Sequence, residues 1–143
     1  MEGPKGTSVY IVGCPPGDGP SLHAHMKTWE TFVVLNGRWK FTAGDYEQYA
    51  AELGPRDMFA CPPGVSRRFV NISDTDANLL VFIQGETEAL DDIAIATDIG
   101  DEIEAKWGAD AKRGLEKVGM AYRTLSREEL EASAKDRTAG DVG

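Results

Sequence analysis

Repeated Gly, Pro, Asn and Asp residues divide the chain between Ser8 and Gln84 into short stretches rich in Val, Phe, Tyr, Trp and Thr. β-Branched and aromatic residues favour extended strands, whereas the residues that separate these stretches favour turns. The pattern therefore predicts an all-β domain built from short strands. The predicted strands are Ser8–Val12, Ser21–His25, Trp29–Leu35, Arg38–Ala43, Tyr49–Leu53, Asp57–Cys61, Arg67–Asn71 and Ala77–Gln84.

The strongest turn signal is the dipeptide Asn36-Gly37, which lies between two of these strands. Asn-Gly readily supplies the two positive φ angles of a type I′ hairpin, so we expect the flanking strands to pair with each other. Strand alternation then places all the facing side chains on one side of the hairpin. Glu30 is thereby predicted to point the same way as a large apolar cluster. The expected facing pairs are Val34 with Trp39, Phe32 with Phe41, and Glu30 with Ala43.

Beyond the last predicted strand, the spacing of apolar residues becomes helical. Isoleucines predict a helix over Asp91–Ile103, and a second helical segment carries Leu115 and Val118. A capping box at Ser126 predicts a last, polar helix that ends at Arg137. The predicted organisation is a β-barrel over residues 1–85 and a helical tail over residues 86–143 that packs on the barrel and frays over residues 138–143.

Charge and composition restrict the partners and the compartment. The chain has 15 Lys and Arg against 24 Asp and Glu, for a net charge of -9, which disfavours nucleic acid and anionic membrane surfaces. The first residues lack the apolar core of a signal peptide, and no apolar run approaches the roughly 20 residues of a membrane span. Two cysteines are too few for a secreted disulfide framework. We expect a cytoplasmic protein that acts on a small molecule.

His23 and His25 are the two histidines of the chain, and they are two residues apart on one predicted strand. Their imidazoles therefore lie on the same face, and Glu30 follows across a short turn on the next strand. Two imidazoles and a carboxylate on one side of an ion leave its other side open. This donor set predicts one divalent transition metal on His23, His25 and Glu30, with iron as the first expectation and manganese, nickel, zinc or copper as alternatives.

The same residues belong to a longer pattern. The chain resembles the first motif of the cupin superfamily, G-x5-H-x-H-x4-E-x6-G, at Gly17, His23, His25, Glu30 and Gly37. Residues 62–71 are similar to the second motif, P-x-G-x2-H-x3-N. The resemblance, which covers roughly Val9 to Gln84, implies a small single-domain type-2 cupin. It implies an antiparallel double-stranded β-helix, or jelly-roll barrel, with the C-terminal helices outside the matched region.

Two positions depart from the cupin pattern. Arg56 stands where the second motif normally opens with glycine, and Arg67 stands where the family has its third metal-binding histidine. The guanidinium of Arg67 stays protonated and cannot ligate a cation. In one interpretation Arg67 stands beside a bound metal and binds a carboxylate or enolate of the substrate. In the other, Arg67 pairs with Glu30 and leaves a metal-free barrel. The retention of both histidines together with Glu30 favours the metal.

Three functions remain open at this point. The first is a metal-dependent, oxygen-activating and dioxygenase-like oxidoreductase acting on a small anionic or enolisable substrate. The second is a cupin lyase or isomerase in which the ion acts as a Lewis acid. The third is a non-catalytic ligand-binding barrel. The candidate catalytic residues are Arg67 and Glu30, and the candidate substrate-binding residues are Arg67, Phe32, Phe41, Phe82 and Gln84.

The opposite face of the predicted hairpin is also partly apolar. It carries Trp29, Val33 and Leu35, where a solvated antiparallel sheet would carry polar residues. We therefore expect this face to be covered, either by the helical tail or by a second subunit. Because small cupins are commonly dimers, the resemblance favours a homodimer.

Overall fold

The computed structural model describes residues 6–85, 93–118 and 120–123. Every strand predicted between Ser8 and Gln84 is confirmed, and each observed boundary lies within two residues of the predicted one. The strands are β1 (Thr7–Cys14), β2 (His23–His25), β3 (Trp29–Val34), β4 (Trp39–Ala43), β5 (Tyr49–Leu53), β6 (Met58–Cys61), β7 (Arg67–Asn71), β8 (Ala77–Gln84), β9 (Ile93–Ala96) and β10 (Ala121–Arg123). The helices are α1 (Thr97–Trp107) and α2 (Ala109–Lys117).

These strands form two sheets. The first has the strand order β1-β8-β3-β6, and the second has the order β10-β9-β2-β7-β4-β5. Within the described residues, neighbouring strands are antiparallel except for β9 and β10. The chain passes from one sheet to the other between β3 and β4, which is typical of a jelly-roll barrel. The predicted antiparallel double-stranded β-helix with C-terminal helices is therefore confirmed.

The core lies between the two sheets and is rich in aromatic rings. Phe32 comes from the first sheet, whereas Trp39, Phe41 and Phe69 come from the second, and all four side chains are buried. The ring of Phe32 meets those of Phe41 and Phe69 edge to face, with centroids 5.1 Å apart in each case. Edge-to-face contacts of this kind stabilise a core beyond the area that they bury. The core thus holds the two sheets together close to the site, since Phe32 lies on the same strand as Glu30.

The prediction of a hairpin at Asn36-Gly37 is wrong. β3 pairs with β6 and β8, whereas β4 pairs with β5 and β7. Gly37 has a φ of 77°, but Asn36 is not among the described non-glycine residues with positive φ, as a type I′ turn would require. Instead, the amide oxygen of Asn36 accepts a hydrogen bond from the backbone N–H of Asn78 at 2.7 Å. The dipeptide lies in the connection that crosses from the first sheet to the second. Glu30 is nevertheless buried as predicted, because both strands turn one face to the same interior.

The prediction of a helix over Asp91–Ile103 is also wrong in its first part. Ile93–Ala96 forms β9, which pairs with β2, and α1 begins only at Thr97. The sequence Ile-Ala-Ile-Ala supplies apolar residues at every position, as a strand buried between neighbours requires. The last predicted helix, Ser126–Arg137, lies outside the described residues, as do residues 138–143. In the part of the chain that the structure describes, neither helix is long and apolar enough to cross a membrane.

Candidate metal centre

Three potential metal ligands meet between the two sheets. His23 and His25 lie on β2 of the second sheet, and Glu30 lies on β3 of the first. One ligand atom from each of these residues lies within 4.8 Å of the others. The two imidazole rings are 5.6 Å apart between centroids, because alternation places both on the inner side of the strand. The predicted grouping of His23, His25 and Glu30 is therefore present in the fold.

Strand pairing and turn contacts fix the backbone that carries the histidines. His23 lies opposite Arg67 of β7 on one side and Ile95 of β9 on the other. The backbone N–H of Gly64 donates a hydrogen bond to the carbonyl of His25 at 2.7 Å. The turn that follows β6 is thus attached to β2. As a result, the two histidines cannot move as a flexible loop would.

The loop before the histidines is attached to the end of β7. The backbone N–H of Gly17 donates to the carbonyl of Asn71 at 2.8 Å, and the N–H of Asn71 donates to the carbonyl of Asp18 at 3.0 Å. At Gly19 the two backbones approach so closely that a Cβ would lie 1.8 Å from the carbonyl oxygen of Phe69. A side chain at this position would therefore push this loop away from β7.

The protonation state of His23 suits metal binding. Its Nδ1 lies 2.7 Å from the carbonyl oxygen of Ser21, so the N–H is placed on Nδ1 and the lone pair on Nε2. Burial first, and then the positive charge of Arg67, lower the pKa of His23 to about 4, although the contact with the Ser21 carbonyl opposes this shift. At neutral pH the ring is uncharged. A carbonyl that orients a neutral imidazole is a usual second partner of a metal-binding histidine.

Arg67 and Glu30 form a buried ion pair across the gap between the sheets. Arg67 is 1% exposed, and its Nε and Nη2 donate to Oε2 of Glu30 at 2.8 Å and 2.5 Å. The same Oε2 lies 3.8 Å from Nε2 of His25. This is the pairing that the second interpretation of Arg67 anticipates. The guanidinium thus balances the charge of the carboxylate that belongs to the donor cluster.

The donor set also fits a metal ion. Imidazole nitrogens and carboxylate oxygens bind first-row metals at about 2.0–2.2 Å, so donors that share an ion lie within about 4.4 Å of one another. The upper limit of 4.8 Å between the ligand atoms requires only a small side-chain adjustment. A carboxylate has two oxygens with about four acceptor positions, so Arg67 at Oε2 does not remove Glu30 from the donor set.

A cavity of about 430 Å³ adjoins the three potential ligands. Its wall draws on both sheets and is apolar apart from Tyr10, Cys14 and the donor cluster itself. It is lined by Tyr10, Val12, Cys14, Pro20, His23, His25, Glu30, Phe69, Ile83 and Ile93. A volume of this size accommodates a small organic molecule.

The substrate-binding residues predicted from the sequence do not line this cavity. Phe32 and Phe41 belong to the core. Phe82 and Gln84 lie on the outer face of β8, since the residues that alternate with them, Val81 and Ile83, are buried. The substrate-binding role predicted for Phe82 and Gln84 does not fit this alternation.

Arg67 is likewise absent from the cavity wall. Its side chain is covered and contacts Glu30, so the direct substrate contact predicted for Arg67 does not fit its placement. Tyr10, Val12 and Cys14, which sequence reasoning missed, are spaced two apart on β1, and that alternation could have indicated a shared inner face. Ile93 carried no such signal, because its segment was predicted to be helical.

The two cysteines differ in their relation to the site. Cys61 faces Glu30 in the register of β6 and β3. Burial, followed by the negative charge of Glu30, raises the pKa of its thiol to about 12. Cys14 lines the cavity, and its pKa is also raised, first by burial and then by Asp18. The raised pKa values make both thiols poorer nucleophiles than a free cysteine at neutral pH.

Comparisons with known proteins agree with this architecture. The family profile described as "Cupin domain" matches residues 10–83 of the 143-residue chain. Among curated proteins, the chain is similar to germin-like protein subfamily T member 3 of Arabidopsis thaliana, with 34% identity over 80 residues. This match covers 54% of the chain and 35% of the relative, so the chain spans about a third of the curated relative's length.

Solved structures show the same fold. The cupin domain of Schizosaccharomyces pombe Cnp3 has a TM-score of 0.54 at 15% identity, covering 59% of this chain and 60% of that one. A sugar phosphate isomerase from a cupin superfamily of Silicibacter pomeroyi has a TM-score of 0.50 at 31% identity, covering 56% of this chain and 51% of that one. Because the family profile matches more than half of the chain and the structure has the expected double-stranded β-helix, this protein belongs to the cupin family.

Proposed function

We propose that this cupin binds one divalent transition-metal ion at His23, His25 and Glu30 and is a metal-dependent enzyme that acts on a small organic anion with oxygen as co-substrate. The observation that carries the proposal is the convergence of the three donors at the wall of the cavity. Two imidazoles and one carboxylate leave part of the coordination sphere open, as in oxygen-activating iron sites. When bound, such an ion supplies Lewis acidity and a redox centre beside the substrate.

The charges around the donors favour an anionic substrate. Arg67 and Glu30 cancel each other's charge, and ligating imidazoles are neutral. The charge of a bound dication is therefore not balanced by these residues. An anionic group of the substrate would offset part of it beside the buried side chains of His25 and Glu30, where charge pairs interact more strongly than in water.

Arg67 acts in this proposal as a positioning residue. Both Nε and Nη2 donate to one oxygen of Glu30, so the guanidinium restricts the rotation of the carboxylate. Partners of this kind, which orient the ligands themselves, commonly affect metal affinity by about 10- to 100-fold. The predicted catalytic role of Arg67 thereby becomes a role exercised through Glu30.

Each of two alternative functions is favoured by a separate observation. The ion pair of Arg67 and Glu30 would also exist in a metal-free barrel that binds a small ligand without catalysis. The resemblance to the Silicibacter protein, which is named a sugar phosphate isomerase, favours non-redox chemistry as a lyase or isomerase. Oxygen consumption during turnover separates the oxygen-dependent enzyme from the second alternative.

Elemental analysis of protein purified without a metal-chelating tag tests the proposal. We expect one metal ion per chain in the wild type and in Glu52→Gln, which alters an exposed glutamate of β5. His23→Ala and Glu30→Gln should both lose the metal, because the first removes an imidazole and the second replaces the carboxylate by an uncharged amide. A folded wild type without metal, even after incubation with ferrous, manganous or zinc ions, would contradict the proposed function and favour the ligand-binding barrel.

A further inference from the structure

Most of the cavity wall beyond the donor cluster is apolar. The donor cluster consists of His23, His25 and Glu30, whereas the side chains of Val12, Phe69, Ile83 and Ile93 offer no hydrogen-bonding group. Val12 and Ile83 come from the first sheet, and Phe69 and Ile93 come from the second, so the apolar wall surrounds the space from two sides. The volume of about 430 Å³ is several times what a metal-bound carboxylate alone would occupy.

We propose that the substrate is a monoanion with an extended apolar body, whose charged head lies at the donor cluster and whose body lies against Val12, Phe69, Ile83 and Ile93. This inference rests on the proposed function for the position of the head. The position of the body follows from the wall alone. Apolar groups that leave water for such a wall gain free energy in proportion to the area that they bury.

The same wall disfavours two other kinds of small anion. The hydroxyl groups of a sugar phosphate would lose water against Val12, Phe69 and Ile83 without finding partners there. A second carboxylate at the far end of the molecule would meet the same surface. Tyr10, which is partly exposed, and Cys14 are the remaining polar side chains of the described wall, and a thiol is a weak donor.

Binding of straight-chain monocarboxylates to the metal-loaded protein tests the inference. We expect the dissociation constant to fall about fourfold for each added methylene from acetate to hexanoate, as burial of a CH₂ group predicts. Dicarboxylates of the same length should bind more weakly than the monocarboxylates by at least tenfold. Dissociation constants that do not depend on chain length, or dicarboxylates that bind as well as monocarboxylates, would overturn the assignment.

A matched pair of substitutions on β1 locates the body in the cavity. Val12→Thr keeps the shape of the side chain but adds a hydroxyl to the wall, whereas Val9→Thr makes the same change on the outer face, where Val9 is 55% exposed. We expect Val12→Thr to weaken hexanoate binding by at least threefold and to leave acetate binding unchanged. Val9→Thr should change neither. Equal effects of the two substitutions on hexanoate would place the body elsewhere.

Metal content, measured on the same samples, separates this inference from the proposed function. If the protein holds metal but the dissociation constants do not depend on the chain length of the carboxylate, the apolar body is overturned and the metal site stays in place. Dependence on chain length in a protein that holds no metal supports the apolar body and contradicts the metal-dependent enzyme. Thermal unfolding of each variant shows whether a lost affinity reflects a lost fold.

Discussion

The guanidinium of Arg67 on β7 and the carboxylate of Glu30 on β3 form an ion pair that connects the two sheets of the barrel. The Nη2 to Oε2 distance is 2.5 Å, and both side chains are buried. A buried pair is costly to form, because both charges lose water, but it is also costly to break. Glu30 is at the same time one of the three potential metal ligands. Stability and the proposed metal binding therefore depend on the same two residues.

Arg67→Ala should destabilise the metal-free protein by about 3–5 kcal/mol, because it leaves the carboxylate of Glu30 buried without its guanidinium. The loss should be smaller in the metal-loaded protein, where the ion supplies the positive charge. Urea unfolding with and without metal measures both values. Arg68→Ala is the control, since Arg68 is exposed and lies 3.9 Å from Glu47, and its loss should stay below about 1 kcal/mol. Equal losses for the two variants would contradict a structural role of the buried pair.

Arg67→His should tighten metal binding at least tenfold. Arg67 lies directly opposite His23 in the register of β7 and β2, so an imidazole at this position adds a fourth donor to the cluster. Competition with a chelator of known affinity measures the change. Weaker metal binding in this variant would mean that the hold of Arg67 on Glu30 matters more than the number of donors.

Phe41→Ala should lower the free energy of unfolding by about 3–5 kcal/mol, because Phe41 is fully buried and contacts the rings of Phe32 and Phe69. Phe82→Ala removes the same group from the half-buried outer face of β8 and should cost clearly less. Urea denaturation of both variants compares the two faces. A larger loss for Phe82→Ala would mean that the two faces of the sheet are assigned the wrong way round.

Asn71→Ala should cost about 3 kcal/mol, because the buried Asn71 side chain satisfies backbone groups that would lose their partners. Its Nδ2 donates to the carbonyls of Cys14 and Thr75 at 2.9 Å and 2.8 Å, and its Oδ1 accepts from the N–H of Ser73. Thermal unfolding measures the loss. A change below about 1 kcal/mol would show that water replaces these contacts.

Homodimer formation remains a prediction, and the outer face of the first sheet supports it. Ile11 is 70% exposed and Trp29 is 50% exposed, and no outward-facing residue of β1, β8, β3 or β6 is charged. A large uncharged apolar face on a chain of net charge -9 is typical of an interface. Light scattering at tens of micromolar should give a dimer for the wild type and for Tyr49→Glu on β5, and a folded monomer for Ile11→Glu. A monomeric wild type would contradict the dimer and would mean that the chain's own helical tail covers this face.

Some of the fold and site followed from local patterns. Alternation of side chains depends only on the geometry of one strand, so it placed Phe32, Phe41 and Glu30 on the interior side even though the expected pairing of β3 with β4 was wrong. The spacing of His23 and His25 likewise required nothing beyond the strand that carries them. The cytoplasmic location and the metal's identity stay predictions.

By itself, the sequence determined the eight strands between Thr7 and Gln84, the inward faces of β3 and β4 and the potential metal ligands, because each is set by residues close together in the chain. Only the tertiary structure decided that Arg67 reaches Glu30, that Ile93 lines the cavity and that Phe82 faces outward. These relations join segments far apart in the chain. They depend on which strand lies beside which, and that choice is made by packing of the whole core rather than by any single turn.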